Sequence, residues 1–350
     1  NAQARARSLL ERAAALNPTN VQTRLKLADG FNLLGESARA IGLYRSTLDQ
    51  LADLRPVRNA VQSKLADLYL RARDRQKAAE QLEALLREDP MNAQANFILG
   101  SLAYDDKRPE QAVDYFSRTV LLNPKFEQAY YDLASAQLSA DRADDALATL
   151  EKARARFQPT FFGEYLTGTA HARRKNYAEA LKHYTTAEVM ANAADTNRLT
   201  HGFYFQLGVA CERSGDFVTA VQHFEKCLAL APNFHEAQNY LGYMWAERGT
   251  NLDRARELIE QALKAEPENG AYLDSLGWVL FKLGKPREAL ELLERALKHT
   301  ETPDPTLYDH LGDIHAALGD LDKAREAWRK SLEIEPNDTI RKKLDSVAPK

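Results

Sequence analysis

Cysteine is nearly absent from this 350-residue chain. Its two cysteines, Cys211 and Cys227, can build neither a disulfide framework nor a four-cysteine zinc site. With 16 glycines and 13 prolines, the chain is also poor in the punctuation that a turn-rich β-sandwich needs. No run approaches the roughly 18 consecutive apolar residues of a membrane-spanning helix. Surplus charge of one sign is missing too. The 47 Lys and Arg stand against 50 Asp and Glu, a formal net charge of −3, so no nucleic-acid partner is expected. What is present is 44% hydrophobic and 28% charged residues, ample material for a core. By length alone, at roughly 150 residues per domain, two or three compact domains would be expected.

Internal repetition overrides that count. Alanine recurs at Ala40, Ala78, Ala112, Ala146, Ala180, Ala220, Ala255, Ala289 and Ala324, at intervals near 34 residues. Twelve residues earlier, thirteen in one unit, stands a small residue, usually after leucine: Ala28, Ala66, Gly100, Ala134, Gly168, Gly208, Gly242, Gly277 and Gly312. Four residues after each alanine comes a bulky one: Tyr44, Leu82, Phe116, Leu150, Tyr184, Phe224, Ile259, Leu293 and Trp328. Pro90, Pro124, Pro232, Pro267 and Pro336 close units, as proline can open a helix but not continue one. Gly35-Glu36, Gly215-Asp216, Gly284-Lys285 and Gly319-Asp320 mark turns inside units. Each unit therefore reads as two amphipathic helices whose backbones approach closely at the small residues.

These columns resemble the tetratricopeptide repeat (TPR), a 34-residue helix-turn-helix unit. The resemblance covers essentially the whole chain and implies an all-α fold, a right-handed α-solenoid or superhelix of stacked helix pairs. Nine units are expected at 21–58, 59–92, 93–126, 127–160, 161–200, 201–234, 235–269, 270–304 and 305–338. The first is extended through Leu51–Pro56, as a longer second helix, and the fifth through 191–197, as a loop or an extra helical turn. Residues 1–20 read as the second helix of a truncated repeat. No first helix precedes it, so further repeats are expected upstream of Asn1. Residues 339–350 read as a capping helix and tail, with Ile340, Leu344 and Val347 on one face.

In this family the first helices line a concave groove that takes peptide segments. At the columns expected to face inward stand Phe97, Tyr104, Tyr131, Phe162, Tyr165, Phe205, Tyr243, Trp278 and Phe281. Phe97, Tyr131, Tyr165 and Phe205 share one column of four successive units, a ladder for a ligand's apolar centre. The competing reading has these rings packed on neighbouring helices. Asp274, Asp309 and Asp313 form an acidic end suited to a basic partner segment. The expected role is thus a non-enzymatic scaffold or adaptor for a protein or peptide. Self-association through solenoid ends or groove is the rival, and an enzyme with its site in the groove a distant third.

Catalytic and metal-binding patterns are not found, and no cofactor is expected. His310 and His315 are five apart, about 500° around a helix, which suits no shared ion. The other histidines are scattered without a partner motif. Cys211 and Cys227 fall where small core residues belong, with a disulfide open only in an oxidising compartment. The strings around Leu241-Gly242-Tyr243, Leu276-Gly277-Trp278 and Leu311-Gly312-Asp313 resemble bacterial TPR proteins, many exported or lipid-anchored. They favour a bacterial envelope process, in the periplasm or at the envelope rather than in the cytoplasm.

Overall fold

The computed structural model describes residues 2–347; Asn1 and the tail residues 348–350 fall outside them. Among the described residues the structure is all-helical, and consecutive helices pack as antiparallel pairs. It divides into two units, 1–190 and 191–350. The first holds α1 (Ala2–Ala15), α2 (Val21–Leu33), α3 (Ser37–Arg45), α4 (Arg55–Arg71), α5 (Arg75–Glu88), α6 (Ala93–Asp105) and α7 (Pro109–Leu122). It continues through α8 (Glu127–Ser139), α9 (Ala143–Arg154), α10 (Phe161–Arg173) and α11 (Tyr177–Ala194), whose last turn belongs to the second unit. The second unit contains α12 (His201–Arg213), α13 (Phe217–Leu230), α14 (His235–Arg248), α15 (Leu252–Ala265) and α16 (Gly270–Lys282). After these come α17 (Pro286–His299), α18 (Pro305–Ala317), α19 (Leu321–Ile334) and α20 (Asp338–Ser346).

The small and bulky columns meet inside each pair. A Cβ built onto Gly100 would stand 2.7 Å from the Phe116 ring, and one on Gly168 2.7 Å from Tyr184. At Gly312 it would overlap the Trp328 indole. The recurring alanines Ala40, Ala78, Ala112, Ala146 and Ala180 are fully buried in the first unit, as are Ala220, Ala255, Ala289 and Ala324 in the second. Helix axes therefore close to a distance that only these small residues permit.

One turn geometry joins first to second helix in every described pair but α14 and α15, where Gly249 and Asn251 both have positive φ. Gly35, Arg73, Lys107, Asp141 and Lys175 in the first unit, and Gly215, Gly284 and Gly319 in the second, all have positive φ. The following amide bonds back five residues, as in Asp74 N to Tyr69 O (2.9 Å) and Arg142 N to Gln137 O (2.8 Å). This left-handed helix cap satisfies the last carbonyls of each first helix. Side-chain caps start many helices, among them Asn20, Asn92, Thr160, Thr200 and Asn269, each accepting from the backbone N–H three residues on.

The expected long second helix of the first repeat is not formed. α3 stops at Arg45, where Ser46 and Thr47 hydroxyls donate to the Leu43 (2.8 Å) and Tyr44 (2.7 Å) carbonyls. Such local bonds compete with helix continuation. A short 3-10 turn, Asp49–Leu51, then buries Leu51, and α4 begins with Pro56 in its first turn. The six extra residues of the fifth repeat become an added turn of α11 and a 3-10 turn, Thr196–Arg198. At the C-terminus Asn337 caps α20 through the Thr339 and Ile340 amides, and buried Ile340 packs on Trp328.

Candidate partner-binding site

Two cavities hold most of the groove residues expected from sequence, one in each unit. In the first unit a cavity of about 420 Å³ is lined by Tyr104 of α6, Tyr131 and Asp132 of α8, and Phe162, Tyr165 and Arg173 of α10. All of its walls come from the first helices of three successive repeats. Phe162 is 50% exposed and Tyr104 39%, the latter accepting a hydrogen bond from the Ser139 hydroxyl (3.3 Å). Tyr131 is only 8% exposed: its ring seats against Gly163, and its hydroxyl donates to Glu127 Oε1 (3.0 Å). Tyr165 stacks on Phe161 with planes 2° apart and leans on Tyr184. Tyr131 and Tyr165 are thus floor, and Phe162 and Tyr104 are rim.

Asp132 supplies the cavity's negative charge. Its Oδ1 accepts from Gln128 Nε2 (2.8 Å), and among the described residues it makes no ion pair. Burial raises its pKa, with the Gln128 bond opposing. A carboxylate so placed favours a cation arriving from outside.

The four-residue ladder is broken by its ends. Phe97 is turned into the helix seam, 5.7 Å from Phe116 and 4.5 Å from Phe126. Phe205 likewise packs among Phe224, Phe234 and Tyr240. Neither lines either of the two cavities; both are half-buried and pack on neighbouring helices, so these two are corrected from ligand contacts to seam packing.

The second unit's cavity, about 450 Å³, is lined by Tyr243, Trp278, Asp309, His310, Asp313 and Lys343, among others. Here too the sequence expectation needs correction. Trp278 is 6% exposed, donates from Nε1 to Glu247 Oε1 (2.5 Å), and stacks on His310 at 3.9 Å. Phe281 stacks on Trp278 itself, ring centroids 5.1 Å apart, and does not line this cavity. Burial, reinforced by Glu247, pushes the Tyr243 hydroxyl far above its ordinary pKa, so it is a neutral donor. Asp274 is buried and bonded to His310 Nδ1 (2.9 Å), an internal pair and not an acidic groove wall. Asp309 and Asp313 do meet the cavity, but Lys343 of α20 donates to both, at 2.8 Å each. The acidic end expected to receive a partner's cation already holds a lysine of the chain itself, shared between its two aspartates.

The remaining candidates fall into place around these. His315 is half-buried and burial lowers its pKa. Cys211 and Cys227 are buried thiols, and burial pushes Cys227 up to about 11, far from reactive thiolate character. The sequence reading missed one cluster. His171 and His183, twelve residues apart, stack face to face across the α10/α11 turn. Glu179 and His183 at i and i+4 are the signal that could have drawn attention there.

Comparison with known proteins agrees with this geometry. Sequence profiles described as tetratricopeptide repeat match residues 63–129 and 275–339, 103–160, and 201–234. The chain is 30% identical over 219 residues to the TPR repeat-containing protein PA4667 of Pseudomonas aeruginosa. That match covers 63% of this chain but only 36% of the relative, so the chain spans about a third of that protein's length. A solved tetratricopeptide repeat protein of Parabacteroides merdae covers 73% of this chain and 98% of its own, at TM-score 0.55 and 16% identity. The Cut9–Hcn1 hetero-tetramer of the APC/C covers 93% of this chain and 69% of its own, at TM-score 0.54 and 14% identity. These last two speak to the fold alone. From its repeat columns, its helix pairs and its matching profiles, the chain belongs to the tetratricopeptide repeat family.

Proposed function

We propose that this chain is a non-enzymatic scaffold that holds an extended peptide of a partner protein in the first unit's cavity. Proteins of this family mediate protein–protein interaction, which supports the class. The observation that carries the site is the pairing of rim aromatics with a cation-free carboxylate between three successive first helices. Phe162 and Tyr104 offer apolar faces to a partner side chain, and full burial of one such ring contributes about 1.5–3 kcal/mol. Asp132 receives a Lys or Arg side chain, and the surrounding rings add cation–π attraction. The ligand is thus a segment with an apolar residue beside a basic one. We assign the process to the bacterial envelope; the C-terminal sequence strings support this, while the relative from Pseudomonas supports a bacterial source alone.

A random-peptide display selection against the whole chain, followed by fluorescence polarisation of the enriched peptides, tests the reading. Enriched peptides carry Lys or Arg next to a bulky apolar residue. Phe162→Ala and Asp132→Asn each weaken them at least tenfold with far-UV helicity unchanged. Peptides that lack a basic residue, or that bind both variants as tightly as the parent, overturn it. Cell fractionation of the source organism checks the compartment, and recovery in the cytosol alone removes the envelope assignment.

A further inference from the structure

We propose that His171, Glu179 and His183 form a binding site for a divalent cation of the zinc class, with Glu164 orienting His183 from behind. One donor atom from each of the three side chains lies within 4.8 Å of the other two. His171 belongs to α10, and Glu179 and His183 sit one turn apart on α11. The imidazoles face each other with planes 3° apart and centroids at 5.6 Å.

The surroundings are those of a ligand pair, not of a filled core. Buried His183 donates from Nδ1 to Glu164 Oε2 (2.6 Å), which leaves the Nε2 lone pair for an ion. A carboxylate behind the ring is how metal-binding histidines are oriented and made more basic. Arg154 in turn holds Glu164 Oε1 at 3.0 Å. On the facing ring, His171 Nδ1 is buried and has no hydrogen-bond partner. Beside both rings opens a cavity of about 350 Å³, room enough for water to complete a coordination shell. Its cations are offset, Arg154 by Glu164 and Arg174 by Asp144 at 3.1 Å.

The geometry asks little of the backbone. Zinc bonds of about 2.0–2.2 Å set tetrahedral donors roughly 3.4 Å apart. Drawing the donors in from 4.8 Å takes side-chain rotation of His171 and Glu179, neither of which is fully buried. Two imidazoles and one carboxylate select zinc-class ions over Mg²⁺ or Ca²⁺, which prefer all-oxygen shells.

Titration calorimetry of the untagged chain with ZnCl₂ reads one ion per chain, and MgCl₂ gives no heat. Glu179→Gln and His183→Gln each weaken Zn²⁺ at least tenfold, while His315→Ala, a remote histidine, changes nothing. Glu164→Gln, a positioning change, costs about 10- to 100-fold. Co²⁺ gives ligand-field bands in the visible that His171→Ala abolishes, a readout independent of stability. If His183→Gln fails to fold, the half-exposed Glu179 decides. Absent Zn²⁺ heat, or heat and Co²⁺ bands unchanged in Glu179→Gln and His171→Ala, overturns the site.

Discussion

Gly312→Ala and Gly277→Ala are the same substitution in the same column of neighbouring repeats, and the structure separates them. At Gly312 the new Cβ overlaps the indole of Trp328, a rigid ring that is 3% exposed. That ring cannot swing aside without losing the bond from Nε1 to Asp313 Oδ1 (3.1 Å). Overpacking costs about 1–3 kcal/mol, and the lost hydrogen bond adds about 1 kcal/mol. Replacing glycine inside a helix returns about 1 kcal/mol, leaving a net loss of about 1–3 kcal/mol. At Gly277 the Cβ meets the Leu293 Cδ1 methyl, the far end of a flexible side chain, and otherwise comes no nearer than 3.2 Å, to the Ala289 carbonyl oxygen. The chain already carries that pairing at Ala66 with Leu82 and Ala134 with Leu150, all buried. Rotation of Leu293 and the propensity gain then cancel to within about 0.5 kcal/mol. Stacked repeats do not unfold as one unit, so a single melting temperature would blur the contrast. Native-state hydrogen exchange resolves it, because about 1.4 kcal/mol corresponds to tenfold faster opening. Amides of α18 and α19 exchange roughly five- to hundredfold faster in Gly312→Ala, and those of α16 and α17 stay near parental rates in Gly277→Ala. Equal protection in the two variants would show that the seam is not set by what faces the small residue.

Other outcomes follow from single contacts. Lys175→Gly relieves a positive-φ residue (φ 59°) and stabilises the first unit by about 0.5–1 kcal/mol, read as slower exchange in α10 and α11. Lys107→Gly does the same for α6 and α7 (φ 57°); faster exchange in either variant would count against the strain. Lys343→Met leaves Asp309 and Asp313 facing each other uncompensated, so α20 frays and its amides lose protection. Burial works to lower the Lys343 pKa, but the bonds to both aspartates outweigh it and raise the folded value. Its contribution is therefore complete below the unfolded value of about 10.4 and disappears as pH rises through the folded one. The exchange difference between parent and Lys343→Met should be full near pH 9 and shrink at higher pH; a difference that grows refutes the pairing.

What the sequence made legible is what repeats nine times. A small residue, a bulky residue sixteen or seventeen positions on and a buried alanine form one steric unit, so their spacing carries the helix pair with it. Left-handed turns were visible only where glycine marks them, at Gly35, Gly215, Gly284 and Gly319. Arg73, Lys107, Asp141 and Lys175 adopt the same conformation under the pressure of the flanking helices, against their own preference. Rotation of each first helix was less legible. One residue is about 100° of helix, which separates Phe162 at the rim from Phe161 in the core. Column counting could not tell Tyr165, which meets the first unit's cavity, from Phe97 and Phe205, which pack into helix seams. Contacts between distant segments were not legible at all. Lys343 reaches Asp309 from 34 residues away, and His171 finds His183 only because the α10/α11 turn closes.

The two cavities differ in a way that stability does not explain. In the second unit the buried and half-buried aspartates at the site have partners within the chain: Asp274 has His310, and Asp309 and Asp313 share Lys343. In the first, Asp132 has only the amide of Gln128, and burial has raised its pKa. A partly buried carboxylate without a cation works against folding, and an asparagine would keep the hydrogen bond without that cost. The exposed ring of Phe162 beside it works in the same direction. Two unfavourable features on adjacent first helices, in a cavity that no second helix enters, are compensated together by one event. On the proposed reading, that event is the arrival of a segment bearing an apolar side chain and a cation.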